Sequence, residues 1–218
     1  MSSAKRDNGV MRTVSIIVAF GLFLIVAFIY TNSKKDSVAS FEELREQGAI
    51  LYPVPRFLPE INLIDDSKTP ITAESFKGKW SVLFFGFTYC PDVCPTTMAV
   101  LKRWYEVLDP ALREQTTVYL VTVDPARDTP EKLKPYVDYF HPEFVGITGE
   151  FLDLHRFATA LNVPFAKVPG SDENYLVDHG SSVAIISPDG YFSGFWKAPI
   201  TAETLSVTYP QIVKVLTH

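Results

Sequence analysis

The sequence predicts a three-layer α/β sandwich preceded by an apolar helix. Three observations carry this. Residues 80–87 are a nearly continuous apolar run of strand length, the mark of a strand buried on both faces in a partly parallel sheet. Runs of that kind then alternate along the chain with stretches of helical periodicity. Near the N-terminus, residues 13–30 carry no charge and are rich in Ile, Val, Phe and Leu.

The elements follow in order. Residues 61–64 read as a short strand, and 72–76 as a turn or short helix before Gly78. The run at 80–87 ends in Cys90-Pro-Asp-Val-Cys94-Pro95, where turn residues hand over to a helix with Met98, Val100, Leu101, Trp104 and Leu108 at helical spacing. Residues 117–123 form a second buried strand, closed by Asp124-Pro125. Thr129-Pro130 supplies an N-cap and a first-turn proline for a helix to about Tyr139, with Pro135 as a candidate kink. Residues 144–147 are a further short strand, and Thr148 is a candidate cap for a helix with Phe151, Leu154, Phe157, Ala158 and Leu161 inward. A long irregular stretch, 163–182, includes an acidic cluster; a loop of this length is usually functional. Residues 183–186 and 191–196 flank Ser187-Pro-Asp-Gly190, a hairpin signal, and Thr201 caps a last helix interrupted by Pro210. The order β, β-α, β-α, β-α, β-β, α, with two cysteines at a strand-to-helix turn, is that of a thioredoxin-like (peroxiredoxin-like) sandwich.

Eighteen helical residues span about 27 Å, close to the bilayer hydrocarbon thickness. The division expected is therefore a cytoplasmic tail at 1–12, a transmembrane anchor at 13–31, a polar linker at 32–54 and the sandwich at 55–218. Lys5, Arg6 and Arg12 precede the apolar block while Lys34 and Lys35 follow it, which keeps the tail inside and puts the bulk of the chain outside. No Arg- and Ser-rich transit segment precedes the block, so the expected location is a bacterial inner membrane with the C-terminal domain in the periplasm. Residues 1–35 hold five of the 20 basic and one of the 25 acidic side chains, leaving 15 against 24 and a net charge of −9 over the remainder. Nucleic-acid binding wants a basic face, so that class is excluded.

Cys90 and Cys94 are the two cysteines of the chain. At a helix N-terminus the macrodipole and free N–H groups are expected to favour thiolates. Four residues apart on a helix, their α-carbons would lie about 6 Å from one another, within reach of a disulfide and equally suited to two adjacent metal ligands. Two thiolates need a third ligand. His218 is terminal, His155 sits on the polar side of its helix, and His141 lies in a turn before Pro142. His179 differs, because Val177-Asp-His179-Gly-Ser181 leads directly into a strand that faces the redox turn in a thioredoxin-like sheet. That loop lacks the proline thioredoxins place there. Two sulfurs and one imidazole would select Cu(I), zinc or iron–sulfur, and structural zinc would want a fourth ligand. Met98 fits the core pattern better than a thioether ligand. Asp92 and Asp178 read as outer groups or as loop solvation.

Three motifs are together specific: Gly86-Phe-Thr-Tyr-Cys90-Pro-Asp-Val-Cys94-Pro, Val123-Asp-Pro-Ala-Arg127-Asp-Thr-Pro, and Tyr175-Leu-Val-Asp-His179 with Pro188-Asp-Gly190. In this order over residues 55–215 they resemble the Sco/SenC family of copper chaperones. The resemblance implies a membrane-anchored protein holding one copper ion, Cu(I) or Cu(II), per chain through Cys90, Cys94 and His179. It implies a role in assembling the binuclear copper site of cytochrome c oxidase subunit II, by delivering copper, by reducing the target cysteines, or both. A periplasmic copper donor or thiol reductant would then be a further partner. The chain has Tyr89 where some relatives carry a histidine, which leaves the three-ligand set intact. Arg127 is expected to be held by the carboxylates of its turn, as a structural feature. The alternative is a thiol–disulfide oxidoreductase, or a redox or copper-homeostasis protein, using Cys90 and Cys94 as a catalytic redox pair.

Overall fold

The structure, a computed structural model, describes residues 4–35, 39–168 and 175–217. The chain divides into two compact units, residues 1–38 and 39–218. The first is one helix, α1 (Ala4–Lys35), in which residues Met11–Phe28 have a mean hydropathy of 2.3. The helix is long and apolar enough to cross a bilayer, and it runs past both ends of the expected anchor.

The second unit begins earlier than the sequence led us to expect. Residues 41–46 form a short helix, α2 (Phe41–Glu46), closed by a reciprocal capping box in which Ser40 and Glu43 satisfy one another's amides. Strand β1 (Ala49–Phe57) follows and pairs antiparallel with β10 (Tyr191–Trp196). Leu44, Ala49 and Leu51 are buried in the core. Residues 39–54 are thus part of the sandwich, which corrects the linker reading. Pro53 and Pro55 sit where the β1–β10 register shifts, at an edge strand that tolerates their missing donors. Gly194 of β10 passes so close to β1 that a side chain there would run into the Ile50 carbonyl.

The central sheet has the order β1-β10-β9-β4-β5-β6-β2-β3. Here β2 is Leu63–Asp65, β3 Pro70–Ile71, β4 Trp80–Gly86, β5 Thr116–Thr122, β6 Val145–Gly149 and β9 Val183–Ile186. Strand β4 pairs parallel with β5 and antiparallel with β9, and β5 pairs parallel with β6. Every residue of β4 is buried, as its unbroken apolar run requires. Its alternating side chains feed two layers. On one side Phe85 packs on Phe157 of α6 (Phe151–Ala160), ring centroids 5.9 Å apart. On the other, Trp80 meets Tyr209 of α7 (Ala202–Thr217), which also packs edge-on against Trp104 of α3 (Val93–Val107) at 5.1 Å. Helices on both faces of one sheet make the three-layer, thioredoxin-like sandwich that the element order predicts.

Three local expectations change. Thr148 is a residue of β6 rather than a cap, and Glu150 occupies the N-cap of α6. The irregular stretch contains a small hairpin, β7 (Phe165–Lys167) with β8 (Val177–His179); its acidic cluster lies outside the described residues, as does His218. Helix α7 continues through Pro210. Between them lie a 3-10 turn at Ala73–Phe76, α4 (Pro110–Glu114) and α5 (Pro130–Phe140), the last with Pro at its first turn as expected.

Candidate metal centre

The site forms where β4 ends. Past Gly86 the chain turns, with the Cys90 amide donating to the Phe87 carbonyl at 3.2 Å, and enters α3 at Val93. Pro95 falls in the first helical turn, where its missing N–H costs nothing. Asp92 occupies the N-cap without using its side chain. The Cys90 sulfur takes up a helix-start amide instead, accepting from the Cys94 N–H at 3.4 Å. Cys90 is half-buried, Cys94 is fully buried, and both are free thiols.

That burial changes the expected chemistry of Cys94. Removal from water pushes its thiol well above the usual cysteine range, and the adjacent Cys90 adds to the shift, although an amide-type contact with Phe87 opposes it. The helix start therefore does not yield a ready thiolate at Cys94. Desolvation outweighs the helix terminus.

His179 closes β8, opposite Phe165 in the β7 register. Its ring lies edge-on to Phe84 and Phe87, with centroids 6.2 and 6.0 Å away. Nδ1 lies 3.0 Å from the Gly180 carbonyl, and a carbonyl only accepts, so Nδ1 carries the proton and Nε2 keeps its lone pair. Burial holds the imidazole below its usual pKa, chiefly by desolvation, so the neutral ligand form prevails. Nε2 points at the Cys94 sulfur, 3.7 Å away.

The separation is informative. Bonds of about 2.3 Å to sulfur and about 2.0 Å to nitrogen, meeting at the angles of three- or four-coordinate metals, put S and N about 3.5–3.7 Å apart. Cys94 and His179 thus stand as two ligands of one ion would stand. Cys90 lines a cleft of about 290 Å³ together with His179, Phe87, Asp92, Val93, Leu176 and Asp178, among others. Among the described residues no three His, Cys, Asp or Glu side chains are gathered as a ligand group. The structure pairs two of the three expected ligands and leaves Cys90 turned to the helix amide.

The other candidates fall into place. Met98 is fully buried in the core, and Asp92 and Asp178 are exposed at the cleft. His155 is exposed against Phe151 and Phe165. His141 accepts from the Glu143 amide and packs on Tyr105, outside the cleft. Arg127 is held by one carboxylate, Asp124, rather than by both of its turn. Its guanidinium also lies 3.7 Å over the Tyr175 ring and donates to the Tyr175 carbonyl at 2.8 Å. It lies 4.8 Å from the Tyr89 ring as well, so it bridges the cysteine turn and the chain leading to His179. Asp128 instead accepts from Thr88 N at 3.0 Å, Thr88 Oγ1 at 2.5 Å and Thr122 Oγ1 at 2.7 Å, tying the cysteine turn to the end of β5. Burial raises its carboxyl pKa against those bonds. Thr88 and Tyr175 were not singled out as site residues from sequence, although each lies in a motif quoted above, Thr88 in the cysteine motif and Tyr175 as the first residue of the His179 motif.

The chain also matches known proteins. A family profile described as SCO1/SenC matches residues 53–214. A putative copper-binding protein of Stutzerimonas stutzeri is 39% identical over 170 residues, 78% of this chain and 83% of that protein. The crystal structure of yeast Sco1 with copper bound is 31% identical with a TM-score of 0.65, covering 73% of this chain and 90% of its own. That of Arabidopsis thaliana ScoI with copper bound is 29% identical with a TM-score of 0.65, covering 72% of this chain and 99% of its own. With a profile match over residues 53–214 and the cysteine and histidine motifs in one cleft, the chain belongs to the SCO1/SenC family.

Proposed function

We propose that this chain is a membrane-anchored copper-binding protein that holds one copper ion through Cys90, Cys94 and His179. It would pass copper to, or reduce the cysteines of, the binuclear copper site of cytochrome c oxidase subunit II during assembly. The observation that carries the ligand set is the approach of His179 Nε2, with its lone pair free, to Cys94 Sγ at 3.7 Å. Copper-bound relatives and the family's part in cytochrome c oxidase assembly support the cargo and the target. The apolar helix α1 would anchor the domain on the outer face of the bacterial inner membrane.

Copper is cargo here. Cys94 supplies a thiolate by giving up its proton, His179 supplies a neutral nitrogen already oriented by Gly180, and Cys90 swings from the helix amide to add the second sulfur. Three protein ligands leave a position through which an acceptor's ligand can enter.

The difference in exposure favours a second use of the same sulfurs. Cys90 at the cleft can attack a target disulfide as thiolate, forming a mixed disulfide and releasing one target thiolate. Cys94 thiolate then attacks Cys90 sulfur, releasing the second target thiolate and leaving a Cys90–Cys94 disulfide. Two electrons pass to the target.

The test is a titration of Cu(II) into the reduced, detergent-solubilised chain. One equivalent per chain should give thiolate-to-copper absorption, and His179→Ala should weaken binding and shift the band. Unchanged stoichiometry, affinity and spectrum in His179→Ala would overturn the ligand assignment.

A further inference from the structure

The hairpin that ends in His179 stands apart from the central sheet. Among the described residues, β7 and β8 pair with one another in a two-stranded sheet of their own. With three residues to a strand, such a pair is too short to hold its place unaided. The position of His179 therefore depends on what ties the hairpin to the sandwich. Phe165 and Val177 are buried, but apolar burial has no direction. The directional ties run to the turn after β5. Arg127 Nη2 donates to the Tyr175 carbonyl at 2.8 Å, and the Tyr175 hydroxyl donates to Asp124. Asp124 is 3% exposed and also accepts from Arg127 Nε, so the guanidinium is fixed on two sides.

The same guanidinium reaches the segment that carries the cysteines. Its carbon lies 4.8 Å from the Tyr89 ring, next to Cys90, and 5.9 Å from the Phe87 ring, which is itself edge-on to His179. The adjacent Asp128 holds Thr88 of that segment through both its amide and its hydroxyl. One turn, residues 124–128, thus sets the two ligand-bearing segments against each other.

We propose that Arg127 is a positioning residue for copper, its guanidinium fixing the His179 hairpin at its working distance from the cysteine turn. The inference rests on the copper reading above and deepens it, because it names what keeps the nitrogen ligand within reach of the sulfurs. A purely structural ion pair needs only a positive charge beside Asp124. The geometry uses more: Nε toward a carboxylate, Nη2 toward a carbonyl, and the guanidinium carbon 3.7 Å over the Tyr175 ring. A planar fork meets all three demands, and an ammonium on a flexible stem does not. Ligands already held in place spare the incoming ion the cost of ordering them.

The test is Arg127→Lys in the full chain, reduced and in detergent, beside wild type and His179→Ala. Lysine keeps a cation beside buried Asp124, so the fold should survive. Without copper, backbone hydrogen exchange should quicken about tenfold in β7 and β8 and keep wild-type rates in β4, β5 and β9. With copper, binding should weaken about 10- to 100-fold, the range for losing a group that orients a metal ligand. The thiolate-to-Cu(II) absorption should move toward that of His179→Ala, since a displaced imidazole is what the two variants share. Exchange quickened alike in hairpin and central sheet would mark a merely structural role and overturn the proposal. So would unchanged copper affinity and absorption in Arg127→Lys while His179→Ala is weakened, and then only the arginine assignment fails. If His179→Ala binds like wild type, the ligand reading fails and the proposal with it, while the exchange rates still report whether Arg127 holds the hairpin.

Discussion

Gly86, the last residue of β4, sits directly beneath the Cys94 sulfur. A β-carbon there would lie 2.9 Å from Cys94 Sγ, 3.0 Å from Phe84 Cε1 and 3.3 Å from Leu120 Cδ1. Ordinary contact begins at 3.4 Å, so the sulfur must retreat by about half an ångström or the sheet must give. Phe84 and Leu120 are fully buried and have nowhere to go. Overpacking of this kind costs about 1–3 kcal/mol. The backbone at Gly86 is one that other residues adopt, so the whole effect comes from space. Metal sites tolerate ligand displacements of about 0.2 Å, less than half of what the methyl imposes. Gly86→Ala should therefore lower the urea midpoint of the reduced, copper-free protein by that energy. It should also weaken copper binding at least tenfold in competition with a chelator. The control is Ile212→Val in α7, outside the cleft, which costs about 0.5–1.5 kcal/mol and should leave copper affinity alone. If Gly86→Ala is destabilised yet holds copper as tightly as wild type, Cys94 is not a ligand at the place its packing defines.

Two further outcomes follow from the structure. A chain beginning at residue 55 should unfold at lower urea than one beginning at residue 39, because it loses the buried Leu44 and Leu51, worth about 3–6 kcal/mol before chain entropy is counted. Equal midpoints would return residues 39–54 to the linker. The copper-free protein should also lose stability as the pH falls from about 7 to about 5, through and below the ordinary imidazole value. Half-buried His179 resists the proton that the unfolded chain accepts, so unfolding takes up protons and acid favours it. Melting temperatures of wild type and His179→Gln across that range should converge toward low pH, and parallel curves would refute the assignment.

What the sequence reveals follows the range of the interactions involved. Strand β4 is legible because burial on both faces writes itself as an unbroken apolar run, and the β9–β10 hairpin because Asp189-Gly190 is local turn chemistry. His179 could be found because its motif abuts a strand. Strand β1 could not, since its partner β10 lies far along the chain and its own run is broken by Pro53 and Pro55. The hairpin of β7 and β8 has strands of three residues, too short for a period to register. The state of Cys94 fails for the same reason in chemical form. The helix start that would favour thiolate is visible in the sequence, whereas the burial that opposes it comes from β4 and β5, which only the fold brings to the sulfur.

The asymmetry of the two cysteines bears on whether copper handling and thiol chemistry are separable here. A lone thiolate at Cys94 would be a buried negative charge, offset among the described residues by a backbone contact with Phe87 and by a neutral imidazole 3.7 Å away. Two outcomes escape that cost. In a Cys90–Cys94 disulfide the sulfur carries no charge, and beside Cu(I) the thiolate is paired with a cation at contact distance. The burial that makes Cys94 a poor free thiolate therefore favours the disulfide and the loaded site over the intermediate between them. Cys90 is half-exposed at the cleft, and in the proposed function it is the sulfur that an incoming donor or target disulfide would meet first. In the proposed cycle a partner engages Cys90, and the buried Cys94 commits only when a bond to sulfur or to copper is there to receive its charge. On this reasoning delivery and reduction are two exits from one reduced state, and which is taken depends on whether the partner offers an open copper position or a disulfide.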